Sequence, residues 1–247
     1  TQHRARELLA QGKSRKATAR ELGISEWAVR TLKADDGQAT HVDPRDPIVR
    51  SALIKAVRGH WCSVRGLADK LRCSEPAVRE TLAHLADSGY NLCWDGDRVR
   101  LVREAPTGGN RIKDAAPVTG NVRRFGVVSD THLCSHYERL DVLEAAYDEF
   151  ARLKLATVYH CGNIVDGHTT FNRFELRCHG ITDQAHYVLD HYPQRKGIET
   201  RFVTGCCHEG WWFGREGMDF GRYLMMEARD RGRSDLVYLG HGEADVE

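Results

Sequence analysis

Three short segments in the C-terminal half gather carboxylate, imidazole, amide and thiol groups: Ser129-Asp130-Thr131-His132, Gly162-Asn163-Ile164-Val165-Asp166-Gly167 and Gly205-Cys206-Cys207-His208-Glu209. These are the groups that hold transition metals. Each segment closes an apolar run with the character of a buried strand, at Arg124 to Val128, Thr157 to Cys161 and Glu199 to Thr204. In an open α/β sheet, loops at the carboxyl ends of strands converge on one crevice, where ligands bind. The pattern therefore predicts a metal site assembled from three strand ends.

Such a crevice needs alternating strands and helices, and the chain after Arg123 supplies them. Leu140, Leu143, Tyr147 and Phe150 repeat at helical spacing between the first two strand ends, giving a β-α-β unit. Plainer roles stay open for single residues: Asp130 as a helix-capping turn, His208 as a polar loop residue, Cys207 as a buried thiol. His160, His168, His179, His186 and His191 read as structural or solvated. Trp211 and Trp212 read as core or rim residues, or else as base-stacking platforms.

At 247 residues the chain exceeds the usual domain of about 100–150 residues, so more than one domain is expected. It is 41% apolar and 29% charged, and no apolar run approaches the roughly 20 residues that span a membrane. The Arg-rich start lacks the apolar stretch of a signal peptide. A soluble, cytoplasmic protein without a membrane partner is the expectation. Residues 1–122 carry 21 Lys/Arg against 15 Asp/Glu, a net +6, whereas residues 123–247 carry 15 against 20, a net −5. That asymmetry suits a phosphate-seeking front half and a metal-seeking back half. The eight cysteines, at 62, 73, 93, 134, 161, 178, 206 and 207, form no C-x-x-C pair. Neither a zinc finger, for lack of that spacing, nor a structural disulfide, in a reducing compartment, is expected.

The front half carries two helix-turn-helix patterns. In the first, residues 1–36, Arg4 to Gln11 ends at Gly12, Ser14 caps Arg15 to Leu22, Gly23 supplies the turn and Ser25 caps Glu26 to Lys33. Ala19, Leu22, Ile24, Val29 and Leu32 have the spacing that locks such helices together. This segment resembles the DNA-binding segment of resolvase-type recombinases. The resemblance implies a third helix that presents Trp27, Arg30 and Lys33 to the major groove, with Arg15 and Lys16 among the basic residues that meet phosphates. The second pattern repeats Ser25-Glu26-Trp27-Ala28-Val29-Arg30 as Ser74-Glu75-Pro76-Ala77-Val78-Arg79. With an opening helix at Asp46–Arg58, a C′ glycine at Gly89 and a hairpin around Asp95-Gly96, residues 46–104 resemble a winged helix (α+β). Arg79 is its candidate DNA contact, and Arg72 stands where the first unit has Gly23. Protein interaction is the alternative role for both units. Residues 105–122 read as a linker.

Residues 123–247 resemble the calcineurin-like metallophosphoesterase superfamily, in particular a subgroup frequent in bacteriophage genomes. The family pattern has Asp-x-His, Gly-Asp-x-x-Asp and Gly-Asn-His-Asp/Glu at successive strand ends. The resemblance implies an α/β sandwich with two divalent metal ions (Mn, Fe or Zn), Asp130 and His132 on the first ion, Asn163 at the bridging position and Cys207 on the second ion. His208 would protonate the leaving alkoxide, oriented by Asp166. Three departures qualify that expectation: Asn163 is an amide where the family has a carboxylate, Cys206-Cys207 replaces oxygen and amide groups, and Gly240-His241-Gly242-Glu243 does not fit the family's Gly-His-x-His. The last His motifs and the second sheet are missing, which reads as a C-terminally truncated domain. The whole is thus expected to be multidomain: an all-α helix-turn-helix, a winged helix, and a metallophosphoesterase acting on DNA as a nuclease-like phosphodiesterase. The alternative is a DNA-binding regulatory or architectural protein whose phosphoesterase domain has lost turnover.

Overall fold

The computed structural model describes residues 8–9, 11–22, 46–105, 110–112, 122–205 and 207–246. The chain is an α/β protein with a four-stranded parallel sheet, and it divides into two compact units, residues 1–41 and 42–247. Among the described residues no helix is long and apolar enough to cross a membrane.

In the first unit, helix α1 (Arg15–Leu22) starts where Ser14 Oγ accepts from the Ala17 N–H at 3.2 Å. Leu8 and Ala19 are buried and Lys16 is exposed. The third helix, with Ser25, Trp27, Arg30 and Lys33, lies outside the described residues.

The second unit opens with α2 (Pro47–Val57), β1 (Cys62–Ser63), α3 (Val64–Leu71), α4 (Glu75–Asp87), β2 (Leu92–Asp95) and β3 (Arg98–Leu101). Local chemistry sets the start of each of these three helices. Asp46 accepts from the Ile48 N–H at 2.8 Å, Ser63 from Gly66 at 3.0 Å and Ser74 from Ala77 at 3.3 Å. The strands form an antiparallel sheet in the order β1-β3-β2. Leu53, Val57, Val64, Leu67, Val78, Leu82 and Val99 fill the core between it and the helices. Arg79 forms an ion pair with Asp97 of the hairpin turn.

Arg72 ends α3 at a φ of +56°, in the left-handed region, with its N–H on the Ala68 carbonyl. A side chain there costs about 1–2 kcal/mol that glycine avoids. Arg72→Gly is expected to stabilise this unit by about 1 kcal/mol, which scanning calorimetry would read as a Tm gain of roughly 2–4 °C. A lowered Tm would contradict the cap geometry.

This helix-and-hairpin part does not stand alone. Gly89 follows α4 at a φ of +88°, where a Cβ would lie 2.8 Å from the Asp219 carbonyl. Asp219 donates to the Gly89 carbonyl at 2.8 Å, and Asn91 donates to Gly217 at 2.7 Å. Tyr90 packs against the cores of both parts. Residues 42–247 form one compact unit, in which the chain after α4 pairs with the loop around Met218. The presumed linker also contains β4 (Asn110–Ile112), which pairs in parallel with β9 (Ala244–Val246).

The main sheet is built from β5 (Gly126–Val128), β6 (Thr157–Cys161), β7 (Glu199–Thr204) and β8 (Leu236–His241), all parallel and in sequential order. Its crossovers carry α5 (Leu140–Arg152), α6 (Gly180–His191), α7 (Gly210–Glu216) and α8 (Phe220–Asp230). Val158, Phe202 and Leu236 from the strands pack with Tyr147, Val188, Phe220 and Leu224 from the helices. Burial alternates along β7, so one face is fully covered. Parallel strands in this order place their carboxyl ends, and the loops that follow, along one edge.

Candidate metal centre

The first two strand-end loops meet through their backbones before any side chain is considered. Asp130 donates to the Gly162 carbonyl at 3.1 Å, His132 to Asn163 at 3.0 Å and Leu133 to Ile164 at 2.9 Å, while Asp166 donates back to Leu133 at 3.0 Å. These bonds force unusual backbone. Asp130, His132, Cys134 and Asn163 all have φ between +43° and +74°, the left-handed region that side chains avoid. Strain of this kind collects at functional sites, where the surrounding structure holds it in place.

Glu209, to which the sequence gives no role of its own, joins the second and third loops. Its Oε1 accepts from the Ile164 and Val165 amides, and its Oε2 accepts from Gly205 at 3.0 Å. Only 1% of this residue is exposed, and burial pushes its carboxyl up to about 7. A glutamate directly after a candidate histidine is a signal the sequence carries. Its backbone partners are visible only in three dimensions. Gly205 is equally constrained, since a Cβ there would come within 2.3 Å of Asn163 Oδ1.

The structure brings Asp130, His132, Asn163, Asp166 and His208 together. Asn163 Nδ2 donates to Asp130 Oδ1 at 2.9 Å. The Ser129 hydroxyl and this amide hold the Asp130 carboxyl below its ordinary value. His132 Nδ1 lies 2.9 Å from Asp166 Oδ1, and its Nε2 lies 3.8 Å from Asp130 Oδ1. The His132 and His208 rings meet edge to face at 4.4 Å. His132, Asp166 and His208 can each offer one ligand atom, all within 4.8 Å of one another.

His208 Nδ1 sits 2.9 Å from the Asp166 backbone carbonyl and 3.7 Å from its carboxylate, so the main chain orients this imidazole. The Asp166 carboxylate faces His132 and accepts from Asn172 Nδ2 at 3.2 Å. Cys207 is exposed and lies outside the three-residue group, and Cys206 lies outside the described residues. The donor set fits a divalent ion. With Nδ1 of His208 donating to a carbonyl and Nδ1 of His132 donating to a carboxylate, each ring keeps its Nε2 lone pair, as ligating histidines do.

Other expectations resolve by burial. Trp212 is buried and stacks on Phe220 at 5.3 Å, whereas Trp211 is half-buried beside His168 at 5.5 Å. His160 is buried and pushed down to about 4 by desolvation. Its Nε2 lies 3.0 Å from Thr131 Oγ1, which itself donates to the Ile164 carbonyl at 2.9 Å, so His160 steadies the residue between Asp130 and His132.

The expected absence of a disulfide is corrected. Cys134 and Cys178 are joined, with Cα atoms 5.6 Å apart. The cause is tertiary. His136 donates to the Glu175 carbonyl at 2.8 Å and Arg177 to the Cys134 carbonyl at 2.7 Å, which lays two segments 44 residues apart side by side. Alkylation of the unfolded, unreduced protein is expected to leave Cys134 and Cys178 unlabelled and to label both after reduction. Equal labelling in both states would mean free thiols.

A cavity of about 610 Å³ opens beside the group, lined by Asp130, His132, Asp166 and His208 on one side and Tyr137, Leu140, Leu143 and Asn172 on the other. Comparison with protein-family models, curated proteins and solved structures finds no match, so the meaning of this site rests on its own geometry.

Proposed function

We propose that the chain is a DNA-associated, metal-dependent phosphodiesterase, with a winged-helix fold at residues 46–104 and a metallophosphoesterase fold at residues 123–247. One observation carries this reading: Asp130, His132, Asn163, Asp166 and His208 converge at the carboxyl ends of β5, β6 and β7. Three helices against a small antiparallel sheet support the winged-helix assignment.

The chain's own groups divide the work. His132, Asp166 and His208 are the residues that would hold a divalent ion, and Asp130 lies within reach of His132. When bound, the ion supplies Lewis-acid polarisation of a phosphoryl oxygen. The His208 ring, fixed at Nδ1 by the Asp166 carbonyl, would offer its Nε2 lone pair to that ion. Leu140 and Leu143 give the substrate side of the cavity an apolar wall. Lys16, exposed on α1, and Arg79 are candidate phosphate contacts, although Arg79 must first leave Asp97. With Mn²⁺ present, the full chain is expected to hydrolyse bis-p-nitrophenyl phosphate and to cleave DNA. Survival of both substrates removes the enzymatic reading. Lys16→Ala is expected to weaken DNA affinity similarly for all sequences and to flatten its salt dependence.

A second reading, a DNA-binding protein without turnover, is favoured by the Asn163 amide. It donates a hydrogen bond to Asp130 where a second carboxylate would add negative charge.

A further inference from the structure

The mouth of the cavity carries more exposed aromatic surface than a folded chain normally leaves in water. Tyr137 lines it at 74% exposure. Phe171 and Phe174, at 92% and 80%, flank the lining residue Asn172 and precede Glu175, which also lines it. The loop that bears the two phenylalanines is held in place. Asn172 accepts from the Thr169 amide at 2.8 Å and donates to the Asp166 carbonyl at 2.6 Å, so the loop bearing both phenylalanines is bonded directly to the cluster. The His136–Glu175 bond and the Cys134–Cys178 link set the Tyr137 arm beside the same loop.

The chemistry of this rim favours nucleic acid over a protein surface. Residues 169–175 read Thr-Thr-Phe-Asn-Arg-Phe-Glu, with aromatic planes and no aliphatic side chain to continue an apolar patch. Arg173 lies over the Phe174 ring at 4.6 Å, which puts a cation beside a stacking plane. Alternating planes and cations are what single strands bind, since every base has a π-face and every nucleotide a phosphate. A duplex keeps its base faces stacked inside and could not use these rings. We infer that Tyr137, Phe171 and Phe174 stack unpaired bases flanking the phosphate presented to the cluster, so that the substrate is a single-stranded or locally opened polynucleotide. The inference rests on the phosphodiesterase reading of the cluster.

The test uses a 2-aminopurine-containing tetranucleotide, too short to span a helix-turn-helix site, with the full chain and EDTA present. Stacking should quench its fluorescence, and Phe171→Ala/Phe174→Ala should weaken that binding by roughly tenfold or more. The same variant should hydrolyse bis-p-nitrophenyl phosphate as the parent does. Absent hydrolysis by the parent, with quenching retained and lost in the variant, would sink the enzyme reading while leaving the stacking rim in place. Unchanged quenching in the variant overturns the rim. If sedimentation instead shows a dimer that the variant dissociates, with no effect on quenching, the rings form a contact between copies and the inference is likewise overturned.

Discussion

Asn163→Asp is expected to raise Mn²⁺-dependent hydrolysis of bis-p-nitrophenyl phosphate by about a hundredfold or more, nearly 3 kcal/mol of barrier at about 1.4 kcal/mol per tenfold. The amide now donates to Asp130 Oδ1 at 2.9 Å, so one oxygen of that carboxylate is engaged and the pair carries a single negative charge. The substitution keeps the shape, turns a donor into an acceptor and doubles the charge available to cations. It also has a cost without metal. Two carboxylates in contact repel, and because 61% of the Asp130 side chain is exposed, solvent holds that repulsion to about 1 kcal/mol. The variant should therefore melt below the parent in EDTA and gain more than the parent from added Mn²⁺. If it shows neither hydrolysis nor a metal-dependent Tm, the cluster does not bind cations in the proposed way.

The second large effect concerns stability. Glu209→Ala removes the carboxylate that accepts from three amides, those of Ile164, Val165 and Gly205, at a site with 1% exposure. A buried amide left unmet costs about 1–3 kcal/mol, and water entering the hole recovers part of it. A loss of about 3–5 kcal/mol, or roughly 10 °C in Tm, is expected. Glu209→Gln separates structure from function. It keeps an acceptor for Ile164 but can set an NH₂ against the Gly205 N–H, so a smaller Tm loss should accompany a clear fall in hydrolysis. A Glu209→Ala protein as stable as the parent would show that the two loops are held by other means.

Much of this architecture is legible in the chain because local chemistry decides it. The runs Thr157–Cys161 and Glu199–Thr204 are strands at those bounds, since β-branched and aromatic residues alternate there. Asp46, Ser63 and Ser74 cap their helices because a short side-chain oxygen reaches the orphan amides. Sequential βα units in turn dictate that the loops after β5, β6 and β7 share one edge, which is why Asp130, Asn163 and His208 could be grouped from sequence.

Contacts between distant segments decided the rest. Which atom orients His208 depends on the Asp166 carbonyl lying closer than the carboxylate, a matter of ångströms that no spacing encodes. The Cys134–Cys178 link, the pairing of β4 with β9 and the seam between Gly89 and Asp219 join residues 44 to more than 130 positions apart in the chain. Periodicity reports only which face of an element is apolar. Which two faces or loops meet is settled by packing the whole chain at once, and the reach of Glu209 across two strand ends is a product of that packing.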